Sequence, residues 1–368
     1  MLNRQSAFAT FARRIARWQR KAGRHGMPWQ GTRDPYRIWL SEIMLQQTQV
    51  ATAAGYYQRF LQRFPNVNTL ADASMDDVMR HWAGLGYYAR ARNLHQGART
   101  VMARWHGEFP RDAATIAQLP GIGRSTAAAI AAFAFGAREP ILDGNVKRIL
   151  TRHFGIEGDP GRSAVTRCLW TLAEQTLAAA PANLDITAYT QGLMDLGATV
   201  CTRRRPRCDA CPLKSSCYAR LAARQEDFPA RTARAARPER NCQMLILRCE
   251  DCVFLQRRPA AGIWGGLWCP PQYDDRAGLA AALDDWGTTL SDARQLPPFH
   301  HDFTHFRLHV EPWLATIADH RPAEPISAPN WIATTELRTT ALPAPIKKLF
   351  AALFRDINPP AADSAEYS

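Results

Sequence analysis

Two acids and four thiols are the side chains in this chain best suited to chemistry. Glu42 stands in Trp39-Leu-Ser-Glu-Ile-Met-Leu45, between an apolar stripe at helical spacing (Tyr36, Trp39, Leu40, Ile43, Met44) and a second strip of Ile38 and Leu45. A carboxylate flanked by apolar surface has its charged form disfavoured, so its pKa rises and it can act as a general acid near neutral pH. The alternative is a boundary glutamate that reaches water or pairs with an arginine. Asp143 opens Asp-Gly-Asn-Val-Lys147, where it or Asn145 is placed to cap a helix. Cys201, Cys208, Cys211 and Cys217 are spaced C-x6-C-x2-C-x5-C within 17 residues, which in a cytoplasmic chain argues for metal rather than disulfides. A single C-x2-C flanked by longer, unequal gaps suits the corners of a four-iron four-sulfur (4Fe-4S) cluster, with zinc as the alternative.

These groups need helices to hold them. Asp34-Pro35 supplies a cap and a first-turn proline for the helix that carries Glu42. Gln46-Gln47-Thr48-Gln49 follows, long amides that can enter a base stack, bond a base edge or merely end the helix. Leu119-Pro-Gly-Ile-Gly-Arg-Ser-Thr126 leads into a small-residue helix over 127–135. There Pro120 and Gly121 end one helix, and Gly123 starts the next with its free N–H groups facing outward. Amides so placed grip a phosphate without reading a base, although Pro-Gly turns also join helices for structural reasons alone. In Trp82-Ala-Gly-Leu-Gly-Tyr-Tyr-Ala-Arg90 the loop presents Leu85 and Tyr87 as exposed wedges beside Arg90, Arg92 and Arg99, with buried loop aromatics as the alternative. Further helices are expected over the first thirty residues, 148–153, 165–180 and 185–200, the last running into the cysteines. Arg203, Arg204, Arg205 and Arg207 then fill the first ligand loop with charge suited to phosphate.

At 368 residues and 46% apolar content the chain can bury at least one sizeable core, and two domains are expected. No run of about 18 apolar residues appears and the start lacks a signal-peptide core, which places the chain in the cytoplasm, near the nucleoid, with no membrane partner. Residues 1–220 carry 30 Lys and Arg against 15 Asp and Glu, whereas residues 241–368 carry 11 against 15. The basic excess therefore belongs to the first domain and points to a polyanion, most simply nucleic acid. The expected organisation is a first domain over 1–220, a linker over 221–240, a second domain over 241–356 and a disordered tail over 357–368. In the second domain, strands over 244–247 and 252–256 precede a Gly/Trp loop (257–268) and a helix near 279–286. Phe306, Leu308 and Val310 form the buried face of a later strand, with Phe303, Thr304 and His305 at its entrance, free to meet a ligand.

Taken together, W-L-S-E-I-M-L-Q-Q-T-Q-V (39–50), G-L-G-Y-Y-A-R (84–90), L-P-G-I-G-R-S-T (119–126), I-L-D-G-N-V-K-R (141–148) and the four cysteines resemble the helix-hairpin-helix DNA glycosylases, most closely the MutY family of adenine DNA glycosylases. The likeness covers the first 220 residues in order and the rest more loosely. It implies a mostly helical catalytic domain with an iron-sulfur subdomain, followed by an α+β Nudix-like domain that recognises 8-oxoguanine. The implied substrate is double-stranded DNA bearing A:8-oxoguanine or A:G mispairs, met by a monomer that swings adenine out of the duplex. By position, Glu42 matches the acid that protonates adenine N7, and Asp143 the carboxylate that stabilises or traps the positive sugar. Gln47, Leu85 and Tyr87 match intercalating positions, Trp29 and Gln191 pocket positions, and Phe303-Thr304-His305 the loop that meets the oxidised guanine. Ser125 stands where bifunctional relatives of the endonuclease III type carry a lysine, so no Schiff base can form there. The second domain lacks the Glu-rich Nudix signature after Gly266, which makes it a reader and not a hydrolase. The rivals are an endonuclease III-like glycosylase/lyase acting on oxidised pyrimidines and a non-catalytic iron-sulfur DNA-binding protein.

Overall fold

Helices form where the apolar spacing and the caps place them in this computed structural model, which describes residues 4–230, 237–259, 262–317 and 330–354. The tail expected to be disordered lies outside them. In chain order the first helices are α1 (Arg4–Ala22), α2 (Pro35–Leu45), α3 (Val50–Arg63), α4 (Val67–Asp72), α5 (Met75–Trp82) and α6 (Ala89–Trp105). Next come α7 (Ala113–Ile116), α8 (Arg124–Phe135), α9 (Gly144–Phe154), α10 (Ser163–Ala178), α11 (Ile186–Thr199) and α12 (Tyr218–Leu221). Asp34 takes the Tyr36 N–H at 2.9 Å and Pro35 fixes the first turn of α2. Asp143 and Asp185 cap α9 and α11 in the same way. α8 is rich in alanine because it is enclosed: residues 127–132 and Ala134 are all buried.

The molecule divides into two compact units, residues 1–73 with 92–233, and residues 74–91 with 234–368. The first unit is helical. Its core joins Phe8, Phe11 and Ile15 of α1 to Ile149 and Leu150 of α9, Leu169 and Leu172 of α10, and Leu193 and Leu196 of α11. α11 lies close to both neighbours because it lacks side chains where they meet it. A Cβ on Gly192 would come within 2.8 Å of Ile15 Cγ2, and one on Gly197 would collide with the Asn145 side chain.

The second unit is built on a mixed sheet. Besides α5, its elements are β1 (Glu239–Cys249), β2 (Cys252–Phe254), β3 (Gln256–Arg257), β4 (Trp268–Cys269), β5 (Gln272–Tyr273), α13 (Arg276–Asp285), β6 (Arg294–Gln295), β7 (Phe299–Asp302), β8 (Arg307–Thr316), β9 (Trp331–Ala333) and α14 (Ala344–Leu353). The strand order is β6-β8-β1-β2-β9, with β5 also on β1 and β7 also on β8. β1 and β8 run parallel from Glu239 opposite Arg307 to Arg248 opposite Thr316. Residues 242–247 of β1 are buried on both faces, so 244–247 are continuously apolar, while the buried Gln243 accepts the Trp313 indole N–H at 2.9 Å. Leu279 and Leu283 of α13 pack there with Leu245, Leu247, Trp313 and Trp331.

Candidate active site

Glu42 projects from α2 into a cleft of the first unit, about 1440 Å³ in volume, whose walls include Ile38, Leu45, Ser125, Asp143, Asn145 and Gln191. Loss of solvent pushes its carboxyl up to about 8, and the charge of Asp143 adds to the rise. Asp143 accepts the Val146 N–H at 2.8 Å as the cap of α9. That bond, the Asn145 N–H and the nearby Arg148 guanidinium all pull its pKa down, but burial is the larger influence and the net direction is upward. Burial thus opposes the charge on Asp143, and a cation arriving in front of it would favour the carboxylate form.

The rest of the cleft fixes these acids in place. Ser125, in the first turn of α8, accepts the Leu142 N–H through Oγ at 2.9 Å and so holds the segment that delivers Asp143. Arg148 bonds Asn145 Oδ1 at 2.7 Å, the Gly197 carbonyl at 2.8 Å and the Cys201 carbonyl at 2.7 Å, tying the start of α9 to the first cysteine. Trp29 is buried, its ring edge-on to Tyr57 with 5.5 Å between centroids. Gln191 donates its side-chain amide to Asp195 at 2.8 Å. Gln47 is exposed at the cleft wall, in a left-handed turn (φ 58°) directly after α2.

The hairpin glycines divide their work. Gly121 has φ 74° and backs onto Asn93, where any side chain would clash, so its role is to make the turn. Gly123 caps α8 without a side-chain bond, and a Cβ built on it would meet nothing within 4 Å. The Cβ side of Gly123 is therefore open, and a ligand can approach the backbone closely there.

The wedge loop differs from its expectation. Tyr87 is exposed, with φ 50°, but Leu85 is only 6% exposed and is not a free wedge in this conformation. Arg90 is the reason the loop curls. It donates to the Leu85 and Gly86 carbonyls at 3.3 and 3.1 Å while its guanidinium lies over the Trp82 and Tyr87 rings.

Residues 40–175 match the model of the HhH-GPD superfamily base excision DNA repair protein, and residues 242–352 match the NUDIX domain. The adenine DNA glycosylase of Buchnera aphidicola subsp. Acyrthosiphon pisum is 36% identical over 83% of this chain and 86% of its own length. The chain belongs to the adenine DNA glycosylase family. The human adenine DNA glycosylase is 34% identical over 86% of this glycosylase and 68% of its own length. Among solved structures, a thermostable thymine-DNA glycosylase superposes with a TM-score of 0.52 at 26% identity, covering 58% of this chain and 97% of that one. A non-covalent endonuclease III-DNA complex, at 19% identity and a TM-score of 0.50 over 61% of this chain and all of that one, shares the fold. The glycosylase is thus a DNA N-glycosylase of base excision repair. Among its described residues no helix is long and apolar enough to cross a membrane.

In the glycosylase the four cysteines carry no disulfide. Burial pushes the Cys211 thiol up to about 12, and Cys201, Cys217 and Cys208 contribute to the rise, so the four sulfurs share one neighbourhood. Among the described residues no three His, Cys, Asp or Glu side chains are close enough to hold a single ion. Arg152 supports this loop from α9. Its guanidinium reaches the carbonyls of Thr202, Arg203, Gln225 and Phe228 at 2.7, 3.1, 3.0 and 2.9 Å, and Cys201 Sγ at 3.4 Å. The first part of the stretch read as a linker consequently packs on the helical unit.

In the second unit Phe303, Thr304 and His305 form the turn between β7 and β8, closed by the Phe303 N–H to the Phe306 carbonyl at 2.9 Å. Thr304 and His305 are exposed at its tip. Phe303 stacks on Phe306 at 4.7 Å and meets His301 and Trp264, and Arg240 lies over Phe306 at 4.5 Å. Trp264, His301, Phe306, Arg240, Asp195, Arg148 and Arg152 surround the candidate positions without having been singled out for them in the sequence. His301 and Phe306 lie within three residues of Phe303, whereas the others become informative through partners distant in sequence.

Proposed function

We propose that this glycosylase hydrolyses the N-glycosidic bond of adenine opposite 8-oxoguanine or guanine in duplex DNA, as a monomer, and leaves the strand uncut. The supporting observation is that Glu42 and Asp143 line one cleft, with the Glu42 carboxyl pushed up to about 8. At neutral pH Glu42 holds its proton and delivers it to adenine N7 as the C1′–N9 bond breaks, so the bond's electron pair departs on a neutral base. Asp143 faces the developing cation at C1′ and stabilises it by charge or by a transient bond. Water then adds at C1′ and passes its proton to the Glu42 carboxylate, restoring the acid.

Trp29 and Gln191 border the extruded base, and Gln47 occupies the space it vacates. Tyr87, and Leu85 once its loop opens, serve as wedges at a base step. The α8 amides beside Gly121 and Gly123 hold a phosphate. Ser125 has no amine with which to attack the sugar, which supports base removal without lyase chemistry. Cys201, Cys208, Cys211 and Cys217 would hold a four-iron four-sulfur cluster, which when bound braces the Arg203–Arg207 loop against phosphate. The aromatic group around Phe303, with Thr304 and His305 at its tip, offers ring faces and polar atoms to the oxidised guanine.

The decisive test uses duplexes carrying A opposite 8-oxoguanine, A opposite G, or thymine glycol, assayed before and after alkali. Breaks at adenine that need alkali, and that vanish with Glu42→Gln, are expected. Cutting without alkali, or at thymine glycol, assigns the lyase chemistry instead, and tight binding with no base release assigns a non-catalytic DNA-binding protein.

A further inference from the structure

Asp195 lies on α11 with no exposed surface, in a part of the first unit that the chemistry above does not use. Both its oxygens are committed. Oδ1 accepts Arg24 Nε at 2.7 Å and Gln191 Nε2 at 2.8 Å, while Oδ2 accepts the Arg24 backbone N–H at 2.9 Å. A Cβ on Gly23 would sit 3.0 Å from Oδ2, so the chain approaches this carboxylate as closely as glycine allows. Arg24 and Gln191 both line the cleft with Glu42 and Asp143, whereas Asp195 does not. The Arg24 carbonyl in turn takes Gln30 Nε2 at 3.0 Å, and Gln30 Oε1 takes the Met27 N–H at 3.1 Å, closing the turn that carries Trp29.

A carboxylate paired with a guanidinium only accepts hydrogen bonds. The amide end of Gln191 that faces it must therefore be the NH2 end, and the carbonyl oxygen is left for the cleft. Adenine carries a donor at C6, the N6 amine, where guanine and hypoxanthine carry an acceptor oxygen. Resting on the adenine removal proposed above, we infer that Asp195 is a positioning residue that sets base selectivity by locking the Gln191 amide with its acceptor toward the C6 substituent. The same carboxylate, through Arg24 and Gln30, fixes the wall bearing Trp29. Asn at position 195 can donate as well as accept, so the Gln191 amide becomes free to turn over.

The experiment compares single-turnover release of adenine and of hypoxanthine, each opposite guanine, by the full-length protein. For Asp195→Asn the adenine-to-hypoxanthine rate ratio is expected to fall roughly tenfold or more, with hypoxanthine release retained. Gln191→Leu, which removes no buried charge, is expected to lower the ratio similarly, and adding Asp195→Asn to it to change the ratio no further. An unchanged ratio in either single variant, or equal losses on both bases as a merely structural role gives, overturns the inference. Should Asp195→Asn not fold, the wild-type Gln191 side-chain NH2 protons, assigned by their disappearance in Gln191→Leu, decide the matter. Slow solvent exchange supports the lock, and exchange at the rate of a free amide overturns it. A wild type that releases adenine with no preference over hypoxanthine overturns the inference alone, whereas one that releases no adenine overturns the proposed function with it.

Discussion

At the scale of single residues, the raised pKa of Glu42 is the property most directly legible in the sequence. Two apolar strips around Glu42 foretold a raised pKa, and burial in the cleft is the main reason for its value of about 8. The sign of the consequence can be worked out. A carboxyl raised from 4.5 to about 8 binds its proton more tightly in the folded state than in the unfolded chain. Folding is therefore disfavoured progressively as pH rises from about 4.5 to about 8, and the penalty is constant above that. Glu42→Gln should remove it. Thermal melts of the variant and the wild type are expected to coincide near pH 4 and to separate by several degrees at pH 9, the variant being the more stable. Base release by the wild type should decline through pH 8 as the acid loses its proton, and Glu42→Gln should lose on the order of a hundredfold or more at pH 7. Parallel melting curves at all pH values would show that Glu42 titrates normally. Asp195 and Arg152 could not be found this way. A lone Asp on a buried helix face and a lone Arg in a helix acquire meaning only from partners such as Arg24, 171 residues away, and Phe228, 76 residues away.

At the scale of elements, caps and small residues carried most of the legible signal. Asp34-Pro35, the glycine turn before α8 and the Asp143 cap lie where the sequence puts them, because each satisfies backbone groups locally. Cap and chemistry can be separated at Asp143. Asn is as good a cap as Asp, whereas Ala lacks the acceptor, so Asp143→Asn should leave stability nearly intact and Asp143→Ala should cost about 1 kcal/mol. Both should lose base release. Denaturant titrations alongside activity assays test this, and an active Asp143→Asn would remove the carboxylate from the chemistry. Exposure of the 82–90 loop was less legible. Its glycines and aromatics read as an open wedge, but Arg90 draws the backbone around itself and buries Leu85. Composition shows that a loop can bend, not which side chain it turns inward.

At the scale of the molecule, a helical domain followed by an α+β one was implied by the family resemblance, and the charge division between the two halves was visible in the sequence. The strand partners were not: the parallel ladder of β1 with β8 joins residues nearly seventy positions apart, which no local pattern encodes. Two predictions belong here. Replacing Thr304 and His305 together by alanine should lower the preference for A:8-oxoguanine over A:G and leave the A:G rate unchanged, as measured by single-turnover kinetics on both duplexes. Purified protein should absorb near 400 nm, on the order expected for iron-sulfur charge transfer, and Cys208→Ser should lose both the band and much of the salt-sensitive DNA affinity; a colourless wild type would assign another metal. The clasp that Arg152 makes on the segment from Thr202 to Phe228 also bears on the order of events during synthesis. Its last carbonyl is synthesised after α1 to α11, so the cysteine segment can be sealed only once those helices have been made. A truncation that stops short of Phe228 should therefore yield a folded helical body with an unsealed, protease-sensitive cysteine segment.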